Sequence, residues 1–197
     1  MLKENSTLRL EARNALSGQW VMAALAALVF SAVLGVPAAI PFVGPIVCIL
    51  LLPVKYGFSI LFLKRYRGEE LNIGSLFDGF NDYGRILGTV LLQTVYTFLW
   101  SLLLVVPGII KYYSYAMTHY ILLDQPELRY EAAIDQSMRM MSGNKMKLFL
   151  LDLSFIGWAL LSILTCGIGM FWLRPYVSTS RAAFYEDLKS NLQTVVY

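Results

Sequence analysis

The chain has 197 residues, 57% of them hydrophobic and only 15% charged, with a mean hydropathy of +0.59. A soluble domain is about half apolar and about a quarter charged, so composition points to a membrane protein filling the whole chain, 1–197, as one domain. The net charge of +3 is spread over short segments without a Lys/Arg block, which argues against a nucleic-acid partner.

Residues 1–19 mix Glu4 and Glu11 with Lys3, Arg9 and Arg13. Leu8, Ala12, Ala15 and Leu16 predict an apolar side for a helix over 6–17, unlike the short basic start of a secretory signal, so the apolar run that follows is expected to stay as a span. That run, about 20–40 ("WVMAALAALVFSAVLGVPAAI"), is long enough to cross a bilayer. Its small residues Ala23, Ala27, Ser31 and Gly35 recur every four positions and allow close approach by another helix. A Pro/Gly turn leads to a less pure apolar segment, 45–64, containing Lys55, Tyr56 and Ser59.

Next, Ile73, Leu76, Phe77, Phe80 and Tyr83 form an apolar stripe opposite Asp78, Asn81 and Asp82, predicting an amphipathic helix in the headgroup plane or capping the bundle. A second strong span covers about 86–106 ("ILGTVLLQTVYTFLWSLLLVV"), followed by a turn and the mixed segment 108–124 with Lys111, Tyr112, Ser114 and His119. The stretch 127–142 is again amphipathic through Leu128, Ile134, Met138 and Met141. A third span covers about 147–168 ("KLFLLDLSFIGWALLSILTCGI"), and 170–187 closes the series with Arg174, Pro175, Tyr176, Ser178 and Thr179.

The pattern predicts a threefold repeat with an interval of about 60 residues, in units of about 6–70, 71–126 and 127–190. Glycines 18, 84 and 143 precede the strong spans; a basic residue, a tyrosine and a hydroxyl recur in the weaker segments. The turns near 36–45, 106–109 and 166–169 lack Lys and Arg, which concentrate in 1–19, 64–85, 125–147 and the tail. Six segments in three hairpins put all of these on one side, and the positive-inside rule makes that side cytoplasmic, with both termini. The expected fold is an all-α membrane bundle of about six segments, with amphipathic helices on the cytoplasmic side.

An ionisable residue inside a span marks a functional site by default. Lys55, Lys111 and Arg174, with Tyr56, Tyr112 and Tyr176, are the candidate contacts for an anionic ligand or lipid headgroup. Lys55 lies deepest; Lys111 and Arg174 sit near turns and can snorkel to the interface. The competing reading makes all three interface anchors. Asp152 is expected to pair locally with Lys145 and Lys147, and His119 to be a hydrogen-bonded packing residue. Cys48 and Cys166 have no metal or redox spacing, and no hydrolase, zinc-protease or phosphate-loop pattern occurs, so no cofactor, metal or catalytic set is expected.

"GSLFDGFNDYGRILG", "LWSLLLVVPGIIKYYSYAM", "ILLDQPELRYEAAIDQSMRMMSGNKMKLFLLDLSFIGWALLSILTCGIG" and "PYVSTSRAAFYEDL", together with "ARNALSGQW", closely resemble the bacterial integral membrane proteins grouped as domain of unknown function 975. The architecture is more remotely similar to the membrane region ahead of some glycerophosphodiester phosphodiesterases, without their catalytic domain. The resemblance implies a multi-pass cell-membrane protein and carries over no catalytic residue. The expected function is non-enzymatic binding or translocation of a lipid or other anionic amphiphile, with membrane lipids as partners. The alternative is an accessory, scaffold or resistance (immunity-type) membrane protein that supports a partner transporter or assembly, and the partner classes are a homo-oligomer or another membrane protein.

Overall fold

The computed structural model describes residues 2–42 and 44–195. Every regular element among them is helical. They fall in chain order into three sets of four: α1 (Asn5–Leu16), α2 (Trp20–Ala38), α3 (Gly44–Leu50) and α4 (Pro53–Tyr66); a short 3-10 helix (Ile73–Phe80), α5 (Tyr83–Leu103), α6 (Val105–Ser114) and α7 (Thr118–Asp124); α8 (Glu131–Met140), α9 (Lys145–Leu153), α10 (Ile156–Leu164) and α11 (Met170–Val195). Three stretches are long and apolar enough to cross a membrane: Trp20–Ala38, Tyr83–Leu103 and Lys145–Leu164, the last joining α9 and α10. These are the three strong spans of the sequence. A fourth follows if α3 and α4, which meet at a bend of 43°, count as one. The bend falls before Pro53, whose missing N–H cannot continue the α3 ladder.

The return segments are broken or polar. Between α6 and α7 the backbone leaves the helix at 115–117, and buried backbone groups freed there need partners. Ser137 of α8 supplies two: its hydroxyl accepts from the Met117 N–H at 3.2 Å and donates to the Ser114 carbonyl at 2.9 Å. Gln93 of α5 donates to the Tyr115 carbonyl at 3.2 Å.

Each long span turns back through a contact between residues seven apart. A Cβ on Gly44 would lie 2.4 Å from the Pro37 carbonyl oxygen, one on Gly108 2.5 Å from Ser101 Oγ, and one on Gly169 2.7 Å from Ser162 Oγ. Only glycine lets these returning segments come so close. Of the glycines ahead of the spans, Gly18 and Gly143 take φ of 78° and 77°, which favours glycine, whereas Gly84 sits inside α5 without a positive φ.

The packed core lies toward the end of the bundle that carries the charged segments. Leu8 of α1, Ile60 and Leu63 of α4, Ile86 of α5, Leu122 of α7, Leu148 and Leu151 of α9 and Phe184 of α11 are buried together. Leu8, Ala12 and Leu16 of α1 and Ala133, Ile134 and Met140 of α8 thus pack into the protein, and these helices cap the bundle. The 3-10 helix buries Leu76 but leaves Phe77 and Phe80 exposed, the latter stacked on Tyr83. α11 packs against α1, α2 and α4. It is the helix that approaches the small-residue stripe of α2, where Ala23 and Ala27 are buried and Ser31 takes a hydrogen bond from Arg174.

Away from this end the apolar side chains face outward. Leu102, Leu103, Val105 and Val106 around the α5–α6 turn, and Ile163 and Leu164 of α10, are mostly exposed. Apolar surface on this scale is what hydrocarbon covers in a membrane protein.

Candidate functional site

The three predicted cations do not share a setting. Counted from the glycine of each turn contact, Lys111 is three residues along, Arg174 five and Lys55 eleven, so they occupy different levels. The Lys111 ammonium lies 4.9 Å from the Trp100 ring centre and 5.9 Å from that of Tyr115. Arg174 is exposed and donates to Ser31 Oγ at 2.7 Å. Lys55 has no ion pair or side-chain hydrogen bond among the described residues.

Lys55 instead lines two adjoining cavities. One, of about 500 Å³, lies between α4, α5, α6 and α7 and is lined by Lys55, Gln93, Thr97, Ser101, Tyr112 and His119 among others. The second, of about 450 Å³, is apolar, with Leu34, Ile49, Leu52, Leu91 and Val95 in its wall. Lys55, Thr94 and Phe98 belong to both. Among the described lining residues neither cavity has a carboxylate.

The α5 wall comes from residues 90, 93, 94, 97, 98 and 101, one face of a helix. Sequence reading missed this face, although Gln93, Thr94, Thr97 and Ser101 stand at helical spacing inside an apolar run. The Thr94, Thr97 and Ser101 hydroxyls donate to the carbonyls four residues earlier at 2.7, 2.8 and 2.8 Å, which leaves their oxygens as acceptors.

Of the three tyrosines, Tyr112 lines the polar cavity and Tyr56 is buried, with its ring edge-on to His119 at 6.4 Å. Tyr176 is elsewhere, against Trp20 and Phe155 at 6.0 and 5.0 Å, beside a smaller apolar cavity of about 250 Å³. His119 is hydrogen-bonded, as expected, through Nδ1 to Ser59 Oγ at 3.0 Å, and it also faces the cavity.

Asp152 does not pair with Lys145 or Lys147. Its partner is Arg181 of α11, whose Nε and Nη2 reach the two carboxylate oxygens at 3.0 and 2.6 Å, while Tyr113 donates to one of them at 3.1 Å. A forked guanidinium matches a carboxylate better than a lysine does, and α9 turns Asp152 toward α11. Arg181 also donates to Tyr112 Oη at 3.1 Å, joining this pair to the cavity wall.

A second polar cluster closes the charged end. Asp124 accepts from Arg67, Lys189 and Tyr185, and Arg67 also pairs with Glu186. Burial pushes the Asp124 carboxyl up, but these hydrogen bonds outweigh it and hold it at about 2.

Compared with known protein families, residues 102–192 match the one described as "Protein of unknown function (DUF975)". Neither a search of curated proteins nor one of solved structures gives a match.

Proposed function

We propose that the chain, whose residues 102–192 match the DUF975 family, described without an activity, is a non-enzymatic membrane protein that binds an anionic amphiphile at Lys55. The observation that carries this is the position of Lys55, an unpaired cation where a polar cavity meets an apolar one. An ammonium at the level of the bilayer core costs about 3 kcal/mol on insertion scales, and an anionic headgroup beside it offsets that cost. The polar cavity offers the headgroup Lys55, Tyr112 and the α5 hydroxyls, and the apolar one offers the tail a wall of aliphatic side chains. Each cavity is within the usual range for small-molecule sites, roughly 300 to 1,000 Å³.

Lys111 and Arg174 take the other role weighed from sequence, as anchors on Trp100 and Ser31. The charged end faces the cytoplasm by the positive-inside rule, which makes the bacterial cytoplasmic membrane the site of action. Mild purification with native lipids retained, followed by mass spectrometry of the bound lipid, tests the reading. Wild type is expected to carry an anionic lipid that Lys55→Gln loses and that Lys111→Gln and Arg174→Gln keep. An unchanged lipid profile in Lys55→Gln would show the site to be wrong.

A further inference from the structure

The polar cavity holds a second basic group whose charge is not fixed. His119 is the one histidine of the chain. Ser59 Oγ lies 3.2 Å from the Lys55 carbonyl and 3.0 Å from His119 Nδ1. With the hydroxyl donating to that carbonyl, Nδ1–H donates to Oγ, and Nε2 is left as a proton acceptor with no partner among the described residues.

The groups around the imidazole fix its electrostatics. Lys55 and Tyr56 face it from α4, and Tyr112 from α6. Arg181 of α11 acts on it from farther off, already paired with Asp152 of α9. From α5 come Val90, Gln93, Thr94, Thr97, Phe98 and Ser101, none of them charged, and α8 contributes no described residue to the cavity wall. An imidazolium in this cavity is a second cation beside Lys55, which has no ion pair among the described residues; with an anion between them, repulsion is replaced by attraction on both sides.

Resting on the anion-site reading above, we propose that binding of an anionic headgroup in this cavity is coupled to uptake of one proton by His119. The proton comes from water and adds to Nε2, and the headgroup is then held by two cations. Linkage makes the effect reciprocal: the lipid raises proton affinity by the factor by which the proton raises lipid affinity.

A single histidine makes this directly measurable. The protein, purified on a tag without histidine and labelled with ¹⁵N-histidine, is placed in nanodiscs of phosphatidylcholine with or without phosphatidylglycerol, whose phosphodiester keeps its charge through the titration. The imidazole ¹⁵N shifts are followed over roughly pH 4 to 8. Phosphatidylglycerol is expected to raise the midpoint by about one unit in wild type, equivalent to about tenfold tighter binding to the protonated form. Lys55→Gln in the same discs controls for surface charge and should show a clearly smaller lipid-induced rise. Glycerophosphoglycerol, the headgroup without tails and likewise a phosphodiester of constant charge, runs alongside; the same rise with it alone supports the proton coupling and assigns the site to a soluble anion. Binding that depends on Lys55 without a greater midpoint shift than in Lys55→Gln overturns the coupling and leaves the anion site standing. Absence of Lys55-dependent binding by either ligand overturns both.

Discussion

Lys55, Lys111 and Arg174 are the same kind of residue to a sequence reader, because each is a cation in an apolar stretch. What separates them is the neighbour each meets across the bundle: the Trp100 ring for Lys111, Ser31 for Arg174, and two cavities for Lys55. Such partners are 11 to 143 residues away in the chain, beyond the reach of local pattern. The pairing of Arg181 with Asp152 was not legible, since the place of Arg181 in a polar stretch hid it. Lys111→Gln should cost about 0.5–1 kcal/mol of stability through the lost ring contact, read by thermal unfolding in detergent, without loss of bound lipid. Asp124 gives a pH signature of its own. Its pKa is about 2 in the fold against an ordinary value of 3.8, so its contribution is complete above about pH 4 and is lost as pH falls from there toward 2. The difference is worth about 2 kcal/mol. Unfolding midpoints measured across that window should fall in wild type and stay flatter in Asp124→Asn, which is already destabilised at neutral pH.

At the scale of elements, hydropathy alone located the three strong spans, because long charge-free runs have few other ways to fold. The Lys/Tyr/hydroxyl alignment of the return segments did not survive: turn contacts set the register, and they put Lys55 eleven residues along but Lys111 only three. The turns after the spans were visible in the sequence, yet the contacts Pro37–Gly44, Ser101–Gly108 and Ser162–Gly169 are a matter of three-dimensional closure. The break between α6 and α7 depends on Ser137 in a separate helix. Ser137→Ala therefore leaves a buried N–H and a buried carbonyl short of a partner, and should destabilise by about 1–3 kcal/mol. The 3-10 helix depends on a bare backbone at Gly57, where a Cβ would stand 2.0 Å from the Leu76 carbonyl oxygen. Gly57→Ala should cost about 1–3 kcal/mol by overpacking, whereas Gly35→Ala, which meets nothing within 4 Å, should be near neutral. Thermal unfolding of the two variants side by side checks the contrast.

The whole molecule divides into a packed, ion-paired end and an end of exposed apolar side chains. Lys64–Asp78, Arg67–Asp124, Arg67–Glu186 and Lys189–Asp124 tie α4, the 3-10 helix, α7 and α11 together at the first. The exposed turn at Cys166 belongs to the second. Charge distribution in the sequence anticipated this polarity; the cavities it could not anticipate, because they are made by gaps between helices whose tilts are set by packing. In a Cys48→Ser background, a membrane-impermeant maleimide added to intact cells should label Cys166 and fail to label a cysteine placed at Glu69; the reverse pattern would invert the topology. The proposal that a lipid fills the two adjoining cavities is tested most directly by photo-crosslinking with phosphatidylglycerol carrying a diazirine in its acyl chain, followed by mapping of the adducts. The account predicts adducts concentrated on the apolar cavity wall around Ile49, Leu91 and Val95, competed by unlabelled lipid and lost in Lys55→Gln. Adducts spread evenly over the exposed faces of α2, α5 and α10, indifferent to competitor and to Lys55→Gln, would contradict it.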